Sequence, residues 1–435
     1  MLYKRLRDIA FWKRPCVRSM LILGFSSGLP LLLVLGTLSF RLREAGLDRG
    51  RIAHVSWVAL AYGLKWVWAP LVDRVRLPWL TERLGRRRAW LLLSQVALAL
   101  SLWQLGQVNP VQDFALMVVC AGLTAFASAT QDIALDAWRI EAVEASLQGI
   151  MAAAYQAGYR FGMIVAGAGV LGLTAYWAGS ATGYVPQAWQ KAYTVMAGLM
   201  LVGMLATLTA VEKPSLVGLL HETPLHWLKS AFVAPFVDFF RRYHRQALWI
   251  LTLVALYRIA DVVKDVMSNP FYVDMGYSKA EVAMVSKVYG VMMGLAGAAT
   301  GGVLVARFGI MRILVVGTVL TSCGNLAFLW LSEGGHNVPH LVMAISADYF
   351  AGGIASSAFV AYLSSLINVT YSASQYALLS SAMLLLPKFL AGFSGDFVNH
   401  YGYTRFFLVT AVMGIPVLLL IGVVARVCRG VRSKI

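Results

Sequence analysis

Long apolar runs dominate this chain and restrict what it can fold into. Twelve stretches contain few charged residues, and each has the length of about 20 residues that an α-helix needs to cross a bilayer. They begin near Val17, Gly50, Trp90, Gln112, Ser146, Ala188, Gln246, Lys279, Arg312, Pro339, Ser372 and Thr404. The pattern predicts an all-α integral membrane protein with twelve transmembrane helices.

The composition is typical of a membrane protein and argues against a nucleic-acid-binding protein. Of 435 residues, 59% are hydrophobic and 13% are charged, whereas a soluble protein carries about 25% charged residues. The net charge of +17 could indicate nucleic-acid binding. However, the basic residues form short clusters between apolar runs, where they act as signals of topology. We therefore expect a lipid bilayer and no nucleic acid as partner.

The chain shows no sign of a disulfide framework, a metal site or a cofactor. Its cysteines, Cys16, Cys120, Cys323 and Cys428, are far apart and lack the spacings of disulfide-rich or metal-binding proteins.

The basic N-terminus leads into an apolar run of full length without a small-residue cleavage site. We therefore expect no cleavable signal peptide.

The apolar runs fall into two sets of six, separated by a polar segment over residues 212–245. Aromatic residues in this segment are spaced as in an interfacial helix. We therefore predict a six-helix half over 1–211, a cytoplasmic linker over 212–245 and a second six-helix half over 246–435. Placing the N-terminus inside assigns most Lys and Arg residues of the loops to the cytoplasm. This bias predicts a multi-pass protein with both termini cytoplasmic.

The two halves resemble each other where their second helices begin. The sequence GLDRGRIAHVS from Gly46 aligns with GYSKAEVAMVS from Gly276 at an offset of 230. Asp48 and Ser278 then fall at helix N-caps, and Ser278 with Glu281 fits a capping box.

The first helix of each half contains a proline, Pro30 in SSGLPLLL and Pro270 in MSNPFYV. We expect both prolines to break these helices. Paired broken helices in two related halves are typical of a transporter whose site lies between the halves.

The stretch SATQDIALDAWRIE places ionisable residues within an apolar run. Asp132 lies about 10 Å deeper than Arg139 by helical rise, and a carboxyl there is expensive unless it is neutral or paired. We predict that Asp132 carries a coupled proton, with a permanent ion pair to Arg160 as the alternative. We predict that the remaining charges form a salt-bridge cluster that closes an inner gate: Asp73, Arg74, Asp136, Arg139 and Glu141.

Other polar residues within the apolar runs are candidates for substrate binding. Arg160 could bind a substrate carboxylate through its planar guanidinium, although pairing with Asp132 is equally compatible with its position. Deep lysines give the interior a basic excess, which suits a substrate with several carboxylates. The further candidates are Gln156, Tyr257, Arg258, Lys264, Asn269, Lys287 and Lys388.

Several motifs resemble known transporter families. APLVDR followed by LGRRR resembles the loop between the second and third helices of the major facilitator superfamily. GFSSGLPLLLV, KWVWAPLVDR, LGRRRAW and SATQDIALDAWRIE together resemble the AmpG-type muropeptide permease family. The resemblance implies proton-coupled import of anhydromuropeptides (GlcNAc-anhydro-MurNAc peptides) from periplasm to cytoplasm for peptidoglycan recycling, across the inner membrane of Gram-negative bacteria. It also implies that Gln131 and Asp132 are functional together.

Other functions compete with this interpretation. Eukaryotic acetyl-coenzyme A transporters are similar in the first half, so a nucleotide-like anion is an alternative substrate, and a drug exporter of the same fold is another alternative. A membrane enzyme would need a nucleophile with a base or a metal cluster. Neither a Gly-x-Ser-x-Gly elbow nor a metalloprotease spacing is present. We therefore expect a monomeric secondary transporter for an anionic glycopeptide and protons, and no enzyme. A sensor or scaffold without transport is the remaining alternative.

Overall fold

The structure is a computed structural model, and it describes residues 15–143, 148–179, 183–212, 233–366 and 372–432. These residues form helices joined by short loops, as the apolar runs predict. The first half contains α1 (Pro15–Glu44), α2 (segments from Arg49–Val55 to Ala69–Arg74), α3 (Arg86–Gln107), α4 (Phe114–Ala142), α5 (segments from Gln148–Ile164 to Val170–Ala178) and α6 (Pro186–Thr209).

The second half repeats this order after a short helix at Ala234–Tyr243, which lies in the predicted linker. Residues 213–232 of that linker lie outside the described residues. The helices of this half are α7 (Gln246–Asp274), α8 (Lys279–Phe308), α9 (Ile310–Glu333), α10 (Val338–Leu366), α11 (Ser372–Ala391 with the start of Ser394–Val412) and α12 (the remainder of that helix with Gly414–Arg432). The turn from α11 to α12 lies at Gly402, whose φ of 77° suits glycine.

Ten helices in the described part of the chain are long and apolar enough to cross a membrane. The prediction of an all-α membrane protein is confirmed, and ten of the twelve predicted spans meet this criterion. α2 does not meet it because five short segments divide it, two of them 3₁₀-helical. In α11 the apolar helix within the described side chains is Leu379–Ala391, which is shorter than the criterion requires.

The predicted helix starts at the 230-residue offset are confirmed. The Asp48 carboxylate accepts hydrogen bonds from the N–H groups of Gly50 and Arg51, and Ser278 forms the capping box with Glu281. Partial burial raises the pKa of Asp48. The hydrogen bonds from Gly50, Arg51 and the Asn399 side chain outweigh that effect, so its pKa is lowered overall.

The prediction that Pro30 and Pro270 break their helices is wrong. Both prolines lie inside continuous helical segments, Pro15–Val34 and Ile259–Asp274. The interruptions fall at Leu35, with φ −118° and ψ −91°, and at the junction between Leu256 and Ile259. Proline removes one backbone N–H, and neighbouring groups in a membrane protein can compensate for that loss without ending the helix.

Close contacts within the chain divide it into two compact units. The first unit comprises Met1–Leu47, Val67–Leu216 and Ser278–Ala283, and the second comprises Asp48–Trp66, Val217–Tyr277 and Met284–Ile435. Each unit therefore includes the beginning of a second helix that belongs to the opposite half of the sequence.

In the first unit, α1 and α5 pack with their backbones nearly touching. A Cβ atom added to Gly158 would lie 1.9 Å from the carbonyl oxygen of Leu21, and one added to Gly24 would lie 2.5 Å from that of Tyr155. Gly28 and Gly162 make equivalent contacts. These contacts are typical of small residues spaced by four along membrane helices, which allow two helix backbones to approach closely.

In the second unit, α8 and α10 pack in the same way. A Cβ atom on Gly297 would lie 2.2 Å from the carbonyl oxygen of Phe350, and one on Gly353 would lie 2.3 Å from that of Gly294. The two glycine contacts fix the relative positions of α8 and α10, which carry Lys287 and Asp348.

Candidate transport site and charged clusters

Asp132 lies in the first unit on α4, beside the packed pair α1 and α5. The Ser27 hydroxyl of α1 donates a short hydrogen bond to Asp132 Oδ1, and Ser27 Oγ also lies 3.4 Å from the Tyr155 hydroxyl of α5. Gly24, one turn before Ser27, contacts the Tyr155 backbone directly. The glycine packing therefore brings three helices together around one carboxyl group.

Gln131 precedes Asp132 and is 1% exposed. Among the described residues, neither its amide nitrogen nor its amide oxygen has a hydrogen-bond partner. An unsatisfied buried amide costs about 1–3 kcal/mol. Gln131 could therefore lower its free energy by binding a ligand or water.

Gln156 and Arg160 of α5 are both exposed. Arg160 Nη1 lies 3.8 Å from the Met163 sulfur, and no ion pair joins Arg160 to Asp132 within the described ranges. The alternative in which these two residues form a permanent pair is thus not the arrangement in this structure. The Arg160 guanidinium remains able to bind a carboxylate.

Two ion pairs between described residues involve the charges at the C-terminal end of α4. Arg139 Nη2 lies 3.4 Å from Asp136 Oδ1, one turn away on the same helix. Arg87 Nη2 of α3 donates to Glu141 Oε1 at 2.7 Å. The side chains of Asp73 and Arg74 lie outside the described residues, so their predicted participation stays a prediction.

A buried ion pair links α7 to α10 in the second unit. Lys264 Nζ donates a short hydrogen bond to Asp348 Oδ1, and the two side chains are 2% and 11% exposed. Lys264 Nζ also lies 5.0 Å from the centre of the Phe328 ring. The ammonium group is thus paired with a carboxylate and is shielded from water.

A second buried lysine lies nearby along α8. Lys287 Nζ donates to Asn269 Oδ1 of α7 at 2.7 Å, and both residues are buried. Arg258 and Asp261 form a looser contact of 3.8 Å at the interruption of α7. The predicted substrate residues Lys287 and Asn269 therefore contact each other in this structure.

The two remaining candidates differ in their surroundings. The Tyr257 hydroxyl donates to the carbonyl oxygens of Leu314 and Ala355, and its ring stacks on Phe359 at 4.6 Å. This residue packs α7 against α9 and α10. Lys388 is half-buried on α11.

The sequence of this chain is similar to those of known transporters. A family model described as Major Facilitator Superfamily matches residues 19–367. The Anhydromuropeptide permease of Escherichia coli strain K12 is 34% identical over 422 residues, which cover 97% of this chain and 81% of that protein. The chain belongs to the AmpG-type family of the major facilitator superfamily.

A further AmpG-named relative and a solved structure are also similar to this chain. "Putative transporter AmpG 4" of Rickettsia conorii is 34% identical over 92% of this chain and 94% of its own length. The crystal structure of the D-xylose-proton symporter has a TM-score of 0.69 at 15% identity and covers 94% of this chain and 96% of its own. At that identity the likeness supports the fold alone. The protein is a transporter and not an enzyme, as predicted.

Several charged or polar partners in this AmpG-type chain were missed by sequence reasoning. Asp348 is the most informative, because it is an aspartate within an apolar run, and the argument applied to Asp132 applies to it equally. Arg87 lies in the LGRRR motif, but nothing in the sequence connects it to Glu141. Ser27 could not be singled out among the many small polar residues of membrane helices.

Proposed function

We propose that the protein is a proton-coupled importer of anhydromuropeptides, located in the bacterial inner membrane with both termini in the cytoplasm. The observation that carries the proposal is the 34% identity to the E. coli anhydromuropeptide permease over 97% of this chain. The protein works as a monomer by alternating access, in which the two halves rock around the substrate.

We assign the coupled proton to Asp132. A carboxyl group within a bilayer is least costly when it is neutral, so opening the site to water or to a cation favours loss of the proton. The Ser27 hydroxyl, which donates to Oδ1, can stabilise the ionised form. A proton that enters down the membrane potential supplies about 2.3 kcal/mol per 100 mV.

We assign the substrate carboxylates of the peptide stem first to Arg160. Its guanidinium is exposed on α5 and has no carboxylate partner within the described ranges. Lys264 is the weaker candidate because Asp348 already neutralises it. Gln131 supplies a free amide for the sugar or the peptide backbone.

We assign the inner gate to the charges at the far end of α4. The contacts from Arg139 to Asp136 and from Arg87 to Glu141 give this end of the bundle pairs that can break and re-form. Asp73 and Arg74, at the C-terminal end of α2, complete the proposed cluster.

The test of proton coupling compares two transport modes in the same proteoliposomes. Asp132→Asn mimics the protonated form and should retain substrate counterflow while it loses accumulation driven by a pH gradient. The matched control, Asp136→Asn, lies one turn away and should reduce both modes together because it damages the gate. If Asp132→Asn still concentrates substrate when pH is the only driving force, the proton assignment is wrong.

The substrate is tested by direct competition of candidate classes. Uptake of a labelled anhydromuropeptide should exceed uptake of a coenzyme A thioester by the wild-type protein, and Arg160→Gln should weaken binding of the peptide-bearing substrate more than that of the sugar portion alone. Preferential uptake of the thioester would contradict the proposed substrate. Equal losses for both ligands would indicate that Arg160 serves packing.

A further inference from the structure

Three side chains in the first unit connect α4, α1 and α5 through oxygen atoms. The Ser27 hydroxyl of α1 lies 2.5 Å from Asp132 Oδ1 of α4, and the Tyr155 hydroxyl of α5 lies 3.4 Å from Ser27 Oγ. Ser27 is 2% exposed, whereas Tyr155 is partly exposed. This hydroxyl chain therefore runs from the predicted proton site, through a buried serine, to a side chain that a ligand can reach.

The packing of α1 against α5 holds the members of the hydroxyl chain in place. Ser27 lies between Gly24 and Gly28 on α1. A Cβ atom on Gly24 would lie 2.5 Å from the carbonyl oxygen of Tyr155, and one on Gly28 would lie 2.2 Å from that of Tyr159. Because the two backbones are in contact, the hydroxyl groups can reorient by rotation while the helices keep their positions.

The ionised form of Asp132 determines the direction of both hydrogen bonds. A carboxylate can only accept, and a serine hydroxyl has one proton to donate. Ser27 donates that proton to Asp132, so Tyr155 must donate the proton of its contact with Ser27. In this direction the Tyr155 hydroxyl has no proton left for a ligand.

Proton binding at Asp132 allows the direction to reverse. The proton adds to Oδ1, and the new O–H group donates to Ser27 Oγ. The Ser27 hydroxyl then rotates and donates to the Tyr155 oxygen, and the Tyr155 O–H group turns to a new acceptor. No proton leaves Ser27 or Tyr155, so the whole step takes up one proton, at Asp132.

The reversed direction favours a ligand that brings an oxygen acceptor to α5. A partly buried hydroxyl donor without an acceptor is unfavourable. The contact between Tyr155 and Ser27 is 3.4 Å, longer than the usual O–H···O distance of about 2.7–2.8 Å, so it is the contact that a ligand oxygen displaces most easily. Gln156 and Arg160 are exposed on the same helix, and a glycopeptide offers carbonyl, carboxylate and hydroxyl oxygens.

The carboxyl group that controls the hydroxyl chain is identified by its contacts. Other ionisable groups on α4 and on the helices packed against it include Asp136, Tyr159, Arg160, Asp73 and Arg74. The central parts of α1 and α3, residues 19–40 and 89–107, contain no charged residue. Of the two aspartates on α4, Asp132 contacts Ser27, whereas Asp136 pairs within α4. The direction of the chain therefore depends on the proton of Asp132.

We propose that Ser27 and Tyr155 form a reversible hydrogen-bond chain, through which proton binding at Asp132 releases the Tyr155 hydroxyl to bind a substrate oxygen. Ser27 is then a positioning residue, and Tyr155 is a substrate-binding residue. Proton and substrate favour each other's binding, because both select the same direction of the chain. The inference rests on the proposed function, since it needs a coupled proton at Asp132 and a substrate with oxygen acceptors.

The first test measures the equilibrium affinity of the purified protein for an anhydromuropeptide as pH is varied. The affinity should rise as pH falls, because the substrate selects protonated Asp132. For the wild-type protein we expect a change of at least about fivefold between mildly acid and mildly alkaline pH. Ser27→Ala and Tyr155→Phe each remove one oxygen atom and leave the packing intact, and each should reduce the change to less than about twofold.

Tyr159→Phe is the matched control for this measurement. It removes the same oxygen one turn along α5, from a ring 5.7 Å from that of Tyr155, and should keep the wild-type change, whereas Asp132→Asn should abolish it. If Ser27→Ala and Tyr155→Phe both keep the full change while Asp132→Asn loses it, the hydroxyl chain is overturned and the proton assignment stands. A change that survives in Asp132→Asn would overturn both.

The second test needs no substrate, so it separates failure of the hydroxyl chain from failure of the proposed substrate. Infrared difference spectra between acid and alkaline pH should contain a protonated-carboxyl band that is lost in Asp132→Asn. They should also contain a tyrosine C–O band, because the Tyr155 hydroxyl changes its hydrogen-bond partners when the chain reverses. Tyr155→Phe and Ser27→Ala should lose this second band, and Tyr159→Phe should retain it. A carboxyl band without the tyrosine band would overturn the proposal even if the wild-type protein transports anhydromuropeptides.

Discussion

Removing one member of the Lys264–Asp348 pair should destabilise the protein far more than removing both. The single variants are Lys264→Met and Asp348→Leu, and the double variant combines them. Each single variant leaves an ionisable group without its partner between α7 and α10, where the lysine side chain is 2% exposed. The double variant removes both groups and replaces them with apolar side chains.

The surroundings of the pair set the expected magnitude. A Cβ atom on Gly324 would lie 3.3 Å from Asp348 Oδ1, and Phe328 covers the ammonium group from another side. Little space is left for water to solvate the remaining charge. Removing one partner of such a buried pair costs about 3–5 kcal/mol, whereas apolar replacement of both is often neutral or stabilising. The double-mutant cycle should therefore show a coupling energy of at least about 3 kcal/mol.

Reversible unfolding in mixed detergent micelles, followed by tryptophan fluorescence, measures all four proteins. The control cycle uses Asp238→Ala and Arg242→Ala, whose ion pair lies on one helix with side chains 24% and 32% exposed. An i,i+4 pair of that exposure is worth about 0.3–0.5 kcal/mol. If both single variants at Lys264 and Asp348 cost under about 1 kcal/mol, or if the double variant costs the sum of the two, the reasoning about burial is refuted.

Three other predictions test the packing, the helix cap and the orientation. Gly158→Ala should lower folded yield severely because its Cβ would meet a backbone carbonyl at 1.9 Å, whereas Gly172→Ala, with open space around it, should not; equal yields would contradict the packing. Asp48→Ala should cost about 0.5–2 kcal/mol at neutral pH. Because the folded-state pKa of Asp48 is lowered, that cost should be fully present above the unfolded-state pKa of about 3.9 and fade as pH falls through the folded-state value; a cost that stays constant under acid would contradict the cap. A cysteine at Arg432 should resist an impermeant maleimide applied to intact cells, and rapid labelling would exclude a cytoplasmic C-terminus.

Local features of the fold could be predicted from the sequence. Helix caps at Asp48 and Ser278 depend on side chains two or three residues away, and tight packing at Gly158 and Gly162 follows from residue size and spacing. The prediction that Pro30 and Pro270 break their helices failed because it used local features alone. It considered the lost N–H at Pro30 and Pro270 but not the surrounding structure, which allows the helix to continue.

Partners that are far apart in sequence could not be predicted. Lys264 was recognised as a deep cation, but Asp348 is 84 residues away, and the pairing depends on how α10 packs against α7. The same holds for Ser27 and Asp132, which are 105 residues apart. The repeat was the one long-range signal in the sequence. It was used to predict only the helix caps at Asp48 and Ser278. The charges before and after the caps match as well, Glu44 with Asp274 and Arg49 with Lys279.

The division of α2 into short segments matters for topology experiments on this protein. A count based on continuous apolar helices omits α2 and α11. Because two helices are omitted, such a count still places both termini on the same side of the membrane. However, it assigns every loop from residue 86 to residue 366 to the opposite side. Reporter fusions at the termini would therefore agree with either scheme. A fusion in the loop between α4 and α5 would distinguish them, and the inverted scheme is already disfavoured because it would expose the cluster Arg86, Arg87 and Arg88 to the periplasm.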